Sequence, residues 1–331
     1  MTHDTARVPG WSDLTTALPA TDGWMHSGVA ITADGTVVCA HPEGHALVVV
    51  PPDGSEAVVV PIDLTEPHGI ALSTDENVVA IADAGYRVVP VDGDHHYEEQ
   101  FVDGHAALVN LSDGRIVLEL TQPPHPAYQS GGWRPTSIAV DRGPDGTGDI
   151  WVADGYGANL VHRFGPDGAH RATFDGGTSG TVFDCPHGIL LRRDGGELEI
   201  LVADRANHRI VVLDPAGETT GVFGADELDS PSSMTVLDGD LFITELFGGV
   251  ARFDARNRFV GRLEPRRRRS HEEPGWPNRL GADGRALLPP ELEPGTFNSP
   301  HGIAAHDGAL YLTEWHIGGR LIRIAPESST S

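Results

Sequence analysis

Three histidines stand in the same short motif at widely separated points of the chain. His68, His187 and His301 each follow a proline and precede a glycine and an isoleucine. Neutral imidazole is a common zinc ligand, and a catalytic zinc site takes three protein ligands and keeps a fourth position for water or substrate. Other divalent transition metals also bind imidazole. If folding brings the three motifs together, they predict a metal site with zinc as the first candidate.

Two further residues have side chains suited to work beside such a metal. Tyr156 and Arg205 lie one or two residues after an aspartate that ends an apolar run, namely Asp154 and Asp204. A tyrosine near a metal can transfer a proton, and the arginine fork binds both oxygens of a carboxylate. Two structural alternatives remain, because such an aspartate often only caps a turn and Arg205 could instead pair with either aspartate. We predict Tyr156 as acid/base and Arg205 as an anion clamp.

Internal repeats predict the elements that position these residues. A unit recurs six times, with starts near residues 27, 67, 135, 186, 231 and 300. Each unit has a first strand, a turn with Asp or Gly, a second apolar strand, a loop and a third strand. The 41 glycines and 25 prolines suit short strands and tight turns. The pattern predicts an all-β fold, a six-bladed β-propeller over residues 1–331 as a single domain.

The propeller arrangement would bring the three histidines together. The first strand of a blade lines the central channel, so the residue that begins it faces the axis. The histidines begin blades two, four and six, and blades two apart are related by about 120° around the axis. They should therefore form a three-fold tripod. The alternative is that this motif is a common form of the first strand, with each histidine bonded to a neighbouring carbonyl. That alternative explains one histidine more easily than three.

Two stretches are longer than the repeat requires. Residues from about 92 to 134 and from about 262 to 298 lengthen the links before blades three and six, and the second is predicted to lie as a loop over one face. The segment before Ser27 should complete the last blade or pack against it, because an open ring would leave two sheet edges unpaired.

The charge of the chain excludes several classes of function. The formal net charge is −25, with 48 acidic and 23 basic residues, and every basic residue is an arginine. The absence of lysine excludes Schiff-base chemistry, and the acidic balance argues against nucleic acid as a partner. The basic cluster Arg266 to Arg269 is followed by acidic residues, so we interpret it as a solvated loop. We expect a small-molecule substrate.

Cysteine usage and apolar patterning indicate the compartment. Cys39 and Cys185 follow no framework spacing, so neither a disulfide scaffold nor a cysteine zinc site is predicted. The first ten residues are polar, and no apolar run reaches membrane length. We predict a soluble cytoplasmic protein without a membrane partner.

Several segments resemble known families. Residues 204–210 (DRANHRI) match the signature of the NHL repeat. Residues 67–70, 183–187 with 202–207, and 297–301 resemble the zinc-ligand segments of peptidyl-α-hydroxyglycine α-amidating lyase, and residues 154–159 resemble its active-site tyrosine segment. That lyase is a six-bladed propeller with a three-histidine zinc, and it cleaves a carbinolamide C–N bond to release glyoxylate. The resemblance implies His68, His187 and His301 as zinc ligands and Tyr156 as the proton-transfer residue.

The chain also departs from that family. The first-blade arginine of the family has no counterpart at residues 40–43. The aspartate that binds a structural calcium is Gly302 here, and the cysteine after the tyrosine is Gly157. We therefore expect neither a structural calcium nor peptide amidation. The prediction is a zinc-dependent lyase that cleaves a C–N or C–O bond of a small polar molecule.

Two other functions remain open. One is a metal-dependent hydrolase similar to the gluconolactonase-type propellers, in which carboxylate and amide oxygens hold a hard cation; three histidines suit zinc better than calcium. The other is a non-catalytic NHL module whose face binds another protein. The sequence leaves the substrate and the oligomeric state undetermined.

Overall fold

The computed structural model describes residues 10–53, 55–91, 95–143, 145–263 and 270–325. The cluster Arg266 to Arg269 lies outside the described residues. Within them the regular structure is almost entirely β-strand, and no helix there is long and apolar enough to cross a membrane. Short 3₁₀ turns lie at Thr15–Ala17, Pro126–Gln129, Gly177–Ser179, Arg205–Asn207 and Ser270–Glu272.

Two short strands precede the first blade, and the first three blades follow. The N-terminal strands are β1 (Trp11–Asp13) and β2 (Trp24–Met25). Blade one comprises β3 (Val29–Ile31), β4 (Val37–Ala40), β5 (Ala46–Val50) and β6 (Val58–Pro61). The next region comprises β7 (Pro67–Leu72), β8 (Val78–Asp83), β9 (Tyr86–Val91), β10 (His96–Phe101), β11 (His105–Asn110) and β12 (Ile116–Leu120). Blade three comprises β13 (Ser137–Val140), β14 (Ile150–Asp154), β15 (Leu160–Phe164) and β16 (His170–Phe174).

The last three blades repeat the same antiparallel order. Blade four comprises β17 (Pro186–Asp194), β18 (Glu197–Asp204), β19 (Arg209–Leu213) and β20 (Thr219–Phe223). Blade five comprises β21 (Pro231–Leu237), β22 (Asp240–Glu245), β23 (Val250–Phe253) and β24 (Phe259–Arg262). A small hairpin of β25 (Arg279–Leu280) and β26 (Leu287–Leu288) follows. The chain then forms β27 (Pro300–His306), β28 (Ala309–Glu314), β29 (His316–Ile317) and β30 (Arg320–Ile324). These six sheets confirm the all-β, six-bladed β-propeller.

The first long insertion does not lie where the sequence pattern placed it. The sheet of blade two has the order β12-β11-β8-β7, so its third and fourth strands come from the stretch predicted as a link before blade three. The inserted element is the hairpin β9–β10, which pairs only with itself. The prediction was wrong because this hairpin interrupts the repeat after the second strand, and the apolar strand β9 occupies the sequence position at which a third blade strand is expected. The second insertion does lie between blades five and six.

The ring is closed by the N-terminal segment, as predicted. β1 is the outermost strand of blade six and pairs antiparallel with β30, with Trp11 opposite Ile324. β2 pairs with β29. This closure removes one exposed sheet edge. That residues 1–331 form a single domain stays a prediction.

The apolar core lies between neighbouring blades. Six clusters of buried side chains each combine residues of two consecutive blades; in one, Leu47 of blade one meets Ile81 of blade two. The cluster at the closing point joins Leu321 of blade six to Val37 and Val48 of blade one. This inter-blade packing holds the first strands at fixed angles around the axis.

Candidate metal centre

The histidines leave the regular strand ladder at the start of their blades. The pairing of β7 with β8 shifts register between Pro67 and Gly69, and that of β17 with β18 shifts between Pro186 and Gly188. β27 shows the same kind of shift just after Pro300. A bulge of this kind turns the extra side chain to a new direction. His68, His187 and His301 are the residues at the shifts.

The glycine after each histidine permits a close approach between first strands. A Cβ on Gly188 would lie 2.2 Å from the carbonyl oxygen of Ser232 in the next blade. Gly69 and Gly302 meet backbone atoms at comparably short distances. No side chain fits there, so glycine is required. The first strands therefore come close enough for hydrogen bonds between blades.

Those hydrogen bonds fix each imidazole. The Nδ1 atoms lie beside carbonyl oxygens of the following blade: His68 with Thr136 at 2.5 Å, His187 with Ser232 at 3.0 Å and His301 with Ser27 at 3.0 Å. A carbonyl only accepts, so Nδ1 carries the hydrogen and donates it. The Nε2 lone pairs are left free to bind a cation, as in histidine metal sites with an oriented outer partner.

The acids at the ends of the second strands support the connecting loops. Asp83 accepts hydrogen bonds from the backbone N–H groups of Thr65 (2.7 Å) and Glu66 (3.0 Å), just before His68. Equivalent bonds run from Asp184 N to Asp204 at 2.8 Å, and from Asn298 N and Ser299 N to Glu314 at 2.6 and 3.1 Å. These carboxylates therefore cap the loops that lead to the histidines and so position them. This is the structural alternative to a direct functional role for the acids.

The three predicted histidines meet, and a fourth joins them. One ring nitrogen from each of His26, His68, His187 and His301 lies within 4.8 Å of those of the other three, and all four side chains are buried. The ring centroids of His68 and His301 are 4.6 Å apart, and those of His26 and His68 are 4.2 Å apart. The arrangement is compact enough for all four to contact one ion.

His26 is oriented by a buried carboxylate. It lies between β2 and β3, and its Nδ1 shares a hydrogen bond of 3.0 Å with Oε1 of Glu66. Its Nε2 is 3.1 Å from the Nε2 of His68, whose own hydrogen is on Nδ1. In the metal-free protein a hydrogen on Nε2 of His26 can bridge the two nitrogens, and a metal ion bound to both would take the place of that hydrogen. Within the described residues, the buried Nε2 of His301 has no hydrogen-bond partner. The four-histidine cluster can therefore hold a metal ion.

The protonation states fit metal ligation. Burial lowers the pKa of all four imidazoles well below the usual range, and the nearby charge of Arg205 adds to this effect. Neutral imidazole is the form that binds metal. Burial, followed by the charge of Asp83, raises the pKa of Glu66 well above its usual value. An all-nitrogen donor set suits zinc or another divalent transition metal.

Tyr156 lies at the cluster. Its hydroxyl donates to Nε2 of His187 at 3.1 Å and lies 3.5 Å from Nε2 of His26. Burial raises the pKa of Tyr156, while the Arg205 guanidinium works in the opposite direction. The phenol form therefore prevails in the metal-free protein.

Arg205 also lies beside the cluster. It donates to Oγ of Ser232 at 2.6 Å and to the carbonyl oxygen of Pro231 at 3.4 Å. Asp204 instead pairs with Arg209 at 2.8 Å. Within the described part of the chain, no carboxylate lies within 4.0 Å of the Arg205 guanidinium. The ion-pair alternative for Arg205 is therefore not what the structure shows.

A cavity of about 380 Å³ opens next to the cluster. His26 and Tyr156 line it on the side of the histidines, and the other lining residues are Tyr86, Phe101, Arg134, Leu246 and Trp315. Its size falls within the usual range of small-molecule sites. A molecule in this cavity would contact Tyr156.

The sequence reasoning missed His26. Blade one carries Gly28 at the position aligned with the three histidines, and His26 stands two residues earlier, outside the repeat. Its partner Glu66 precedes the motif of blade two. The signal available was a histidine just before a first strand, but only the closed ring shows that this side chain reaches the axis.

Comparisons with known proteins support the fold. No protein-family model matches the chain, and no curated protein matches it. Among solved structures, a streptogramin B lyase is similar, with a TM-score of 0.59, 14% identity, and coverage of 95% of this chain and 96% of that one. Virginiamycin B lyase from Staphylococcus aureus has a TM-score of 0.53, 15% identity, and coverage of 95% and 98%.

A hydrolase-type propeller is also similar. A gluconolactonase from Xanthomonas campestris has a TM-score of 0.56, 15% identity, and coverage of 98% of this chain and 96% of that one. At such low identity these likenesses establish the propeller fold alone.

Proposed function

We propose that the protein is a metal-dependent lyase that cleaves a C–N or C–O bond in a small polar substrate. His68, His187 and His301 would hold the metal, with zinc as the first choice, and His26 would add a fourth nitrogen. Tyr156 would transfer the proton and Arg205 would bind an anionic group of the substrate. The observation that carries the proposal is the convergence of four buried imidazoles, three of which donate the Nδ1 hydrogen to a backbone carbonyl oxygen and turn Nε2 toward the others.

The donor set supports this choice over calcium chemistry. Calcium takes six to eight oxygen ligands, whereas the cluster offers only histidine nitrogens. The resemblance of the histidine and tyrosine segments to the amidating lyase supports the same assignment, as do two lyases among the similar propellers. The gluconolactonase neighbour keeps the hydrolase as the alternative.

When bound, the metal would polarise the oxygen that becomes a carbonyl. The chain's residues would do the rest. In a substrate with a hydroxyl and an amide nitrogen on one carbon, loss of the hydroxyl proton and cleavage of the C–N bond give a carbonyl and a free amide. A nearby cation would stabilise the phenolate of Tyr156, which could then accept that proton and return it to the leaving nitrogen. Arg205 would hold a substrate carboxylate through charge-assisted hydrogen bonds.

Metal analysis tests the centre. We expect about one transition-metal ion per chain by mass spectrometry, and its loss in His187→Ala. His208→Ala is the matched control, because His208 lies on the same blade but is exposed and outside the cluster. The metal site would be refuted if the wild-type protein contained no metal after exposure to zinc. Equal metal content in His187→Ala and His208→Ala would refute it as well.

Product analysis tests the reaction. The metal-loaded protein should release an aldehyde or keto acid from a panel of carbinolamides, which carry the hydroxyl and the amide nitrogen on one carbon, and His187→Ala should not. A parallel panel of lactones covers the alternative. Acid release from the lactones without carbonyl formation from the first panel would make the protein a hydrolase.

A further inference from the structure

The cavity beside the histidines has an unusual aromatic wall. The rings of Tyr86 and Phe101, both on the β9–β10 hairpin, have centroids 5.1 Å apart. Trp315 lines the same cavity, and its ring centroid lies 5.6 Å from that of His26. Phe101 is 57% exposed although it belongs to a cavity wall. A large exposed ring beside a site indicates a surface that an apolar ligand covers.

The hairpin that supplies this wall is not needed for the blade. Blade two has its four strands without β9 and β10, which pair only with each other. The hairpin nevertheless brings two aromatic rings to the cavity. Inserted loops on a rigid scaffold commonly determine what a site binds. The placement of these rings therefore points to substrate selection.

The same cavity contains a cation without an ion-pair partner. Arg134 lines the cavity, and its guanidinium carbon lies 5.1 Å from the centroid of Phe101. Its Nη1 donates to the carbonyl oxygens of Ala84 (3.1 Å) and Val102 (3.1 Å). Across the described residues no carboxylate lies within 4.0 Å of this guanidinium. In a chain with 48 acids and 23 arginines, this cation remains free to bind an anionic ligand.

We infer that the substrate is a small carboxylic acid that carries an aromatic ring. The ring would pack in the cavity against Phe101 and Trp315, and a carboxylate on this part of the molecule would bind Arg134, while Arg205 would bind the anionic group beside the reacting carbon. Aromatic rings attract each other in offset or edge-to-face contacts beyond the effect of the area that they bury, and an arginine binds a planar carboxylate with two donors. The inference deepens the proposed function and rests on it, because it names the class of molecule that this site would take.

Three probes separate the two recognition elements. 3-Phenylpropionate has both the ring and the carboxylate, 3-phenylpropan-1-ol has only the ring, and hexanoate has only the carboxylate. Calorimetric titration of the metal-loaded protein should show tightest binding for 3-phenylpropionate, about tenfold or more over the other two. Equal binding of all three probes, or no binding of any, would overturn the inference.

Variants then assign each element. Phe101→Ala should lower the affinity for 3-phenylpropionate about tenfold and leave the affinity for hexanoate unchanged. Arg134→Gln should lower the affinity for both acids and leave the affinity for the alcohol unchanged. Phe259→Ala is the matched control, since Phe259 is also exposed under an arginine but lies on blade five away from the cavity. If Arg134→Gln does not fold, Arg134→Lys takes its place, because lysine keeps the positive charge. This variant should still prefer the acids over the alcohol, with lower affinity than the wild type. Unchanged affinities in the Phe101 and Arg134 variants would refute the inference.

One further measurement distinguishes failure of the inference from failure of the proposed function. The titration is repeated with metal-free His187→Ala, in which Phe101, Trp315 and Arg134 are intact. If the wild-type protein binds 3-phenylpropionate but no metal, the cavity inference stands and the proposed function fails. If it binds metal and cleaves carbinolamides but shows no preference among the probes, the inference alone fails.

Discussion

At the scale of single residues, the hydrogen bond between His26 and Glu66 joins a buried imidazole to a buried carboxyl group. The second carboxyl oxygen of Glu66 has no hydrogen-bond partner among the described residues. Burying a polar atom in this way is costly, and the pKa of Glu66 is raised by that burial. A cation on His26 would offset the cost, since it favours the ionised carboxylate. The pair is therefore adapted to a metal-loaded state.

Replacing Glu66 tests this role. We predict that Glu66→Gln, which keeps the shape and an acceptor but loses the charge, weakens metal affinity about 10–100-fold. Competition with a chelator measures the affinity. Glu98→Gln, an exposed acid on β10, should have no effect. If Glu66→Gln binds metal as tightly as the wild type, Glu66 does not support the centre.

A second residue-scale prediction concerns Tyr156. We expect Tyr156→Phe to lower kcat about a hundredfold or more, because general acid–base catalysis contributes on that scale, and to leave metal content unchanged. Tyr311→Phe is the control, since the Tyr311 hydroxyl on blade six accepts from Arg323 and lies outside both the cluster and the cavity. Near-normal turnover in Tyr156→Phe would remove this residue from proton transfer.

At the scale of elements, the repeat made the tripod predictable. His68, His187 and His301 stand at the same position of the first strand in three alternate blades. Their three-fold placement therefore follows from the geometry of the blades. His26 has no such register, because it precedes blade one and reaches the axis only after the ring closes. The β9–β10 hairpin was misplaced for a related reason. Its two strands pair outside the six sheets, and the repeat pattern gives no information on such an addition.

Blade three contains a buried histidine outside the metal cluster. His162 on β15 is fully buried, and burial lowers its pKa to about 3. It bonds the hydroxyl of Tyr128 at 2.7 Å, and Tyr128 donates to Asp154 at 2.6 Å. Tyr128 belongs to the 3₁₀ turn Pro126–Gln129, so this network ties the link between blades two and three to blade three.

This network predicts a pH dependence of stability. The folded pKa of about 3 lies below the unfolded value near 6.5, so the unfolded chain binds more protons between these values. Stability from this group is complete above pH 6.5 and falls as the pH decreases. The loss between pH 7 and pH 5 should be about 2 kcal/mol.

Urea unfolding at the two pH values measures the effect. In His162→Gln the decrease should be smaller than in the wild type by about 2 kcal/mol. The buried histidines of the cluster contribute equally to both proteins, so the difference isolates His162. His208→Gln, at an exposed position, should behave as the wild type. Identical pH dependence in His162→Gln and the wild type would contradict the prediction.

At the scale of the whole molecule, closure of the ring depends on a short strand far from its partner in sequence. β1 covers the outer edge of β30, and Arg320 on β30 is buried. The guanidinium of Arg320 donates to Asp13 at 3.2 Å and to Glu314 at 3.3 Å, and it lies 4.8 Å from the ring centroid of Trp11. Glu314 in turn holds the loop before His301. The closing strand is thus linked through two ionic contacts to a histidine of the cluster.

Removing β1 should weaken this closure without removing the metal centre. A chain that begins at Leu14 loses Trp11 and Asp13, exposes the edge of β30 and leaves Arg320 with fewer partners. Because the buried Arg320 loses one carboxylate partner and its ring contact with Trp11, while Asp13 itself is 43% exposed, we expect a loss of about 1–3 kcal/mol in the free energy of unfolding. The exposed edge should also promote association at high protein concentration. A chain that begins at Gly10 keeps β1 and is the control. Urea unfolding, size-exclusion chromatography and metal analysis of both chains provide the test. Since the cluster residues lie on first strands and on the segment after β2, metal content should persist in the shorter chain. Equal stability of the two chains would show that the inter-blade core alone closes the ring.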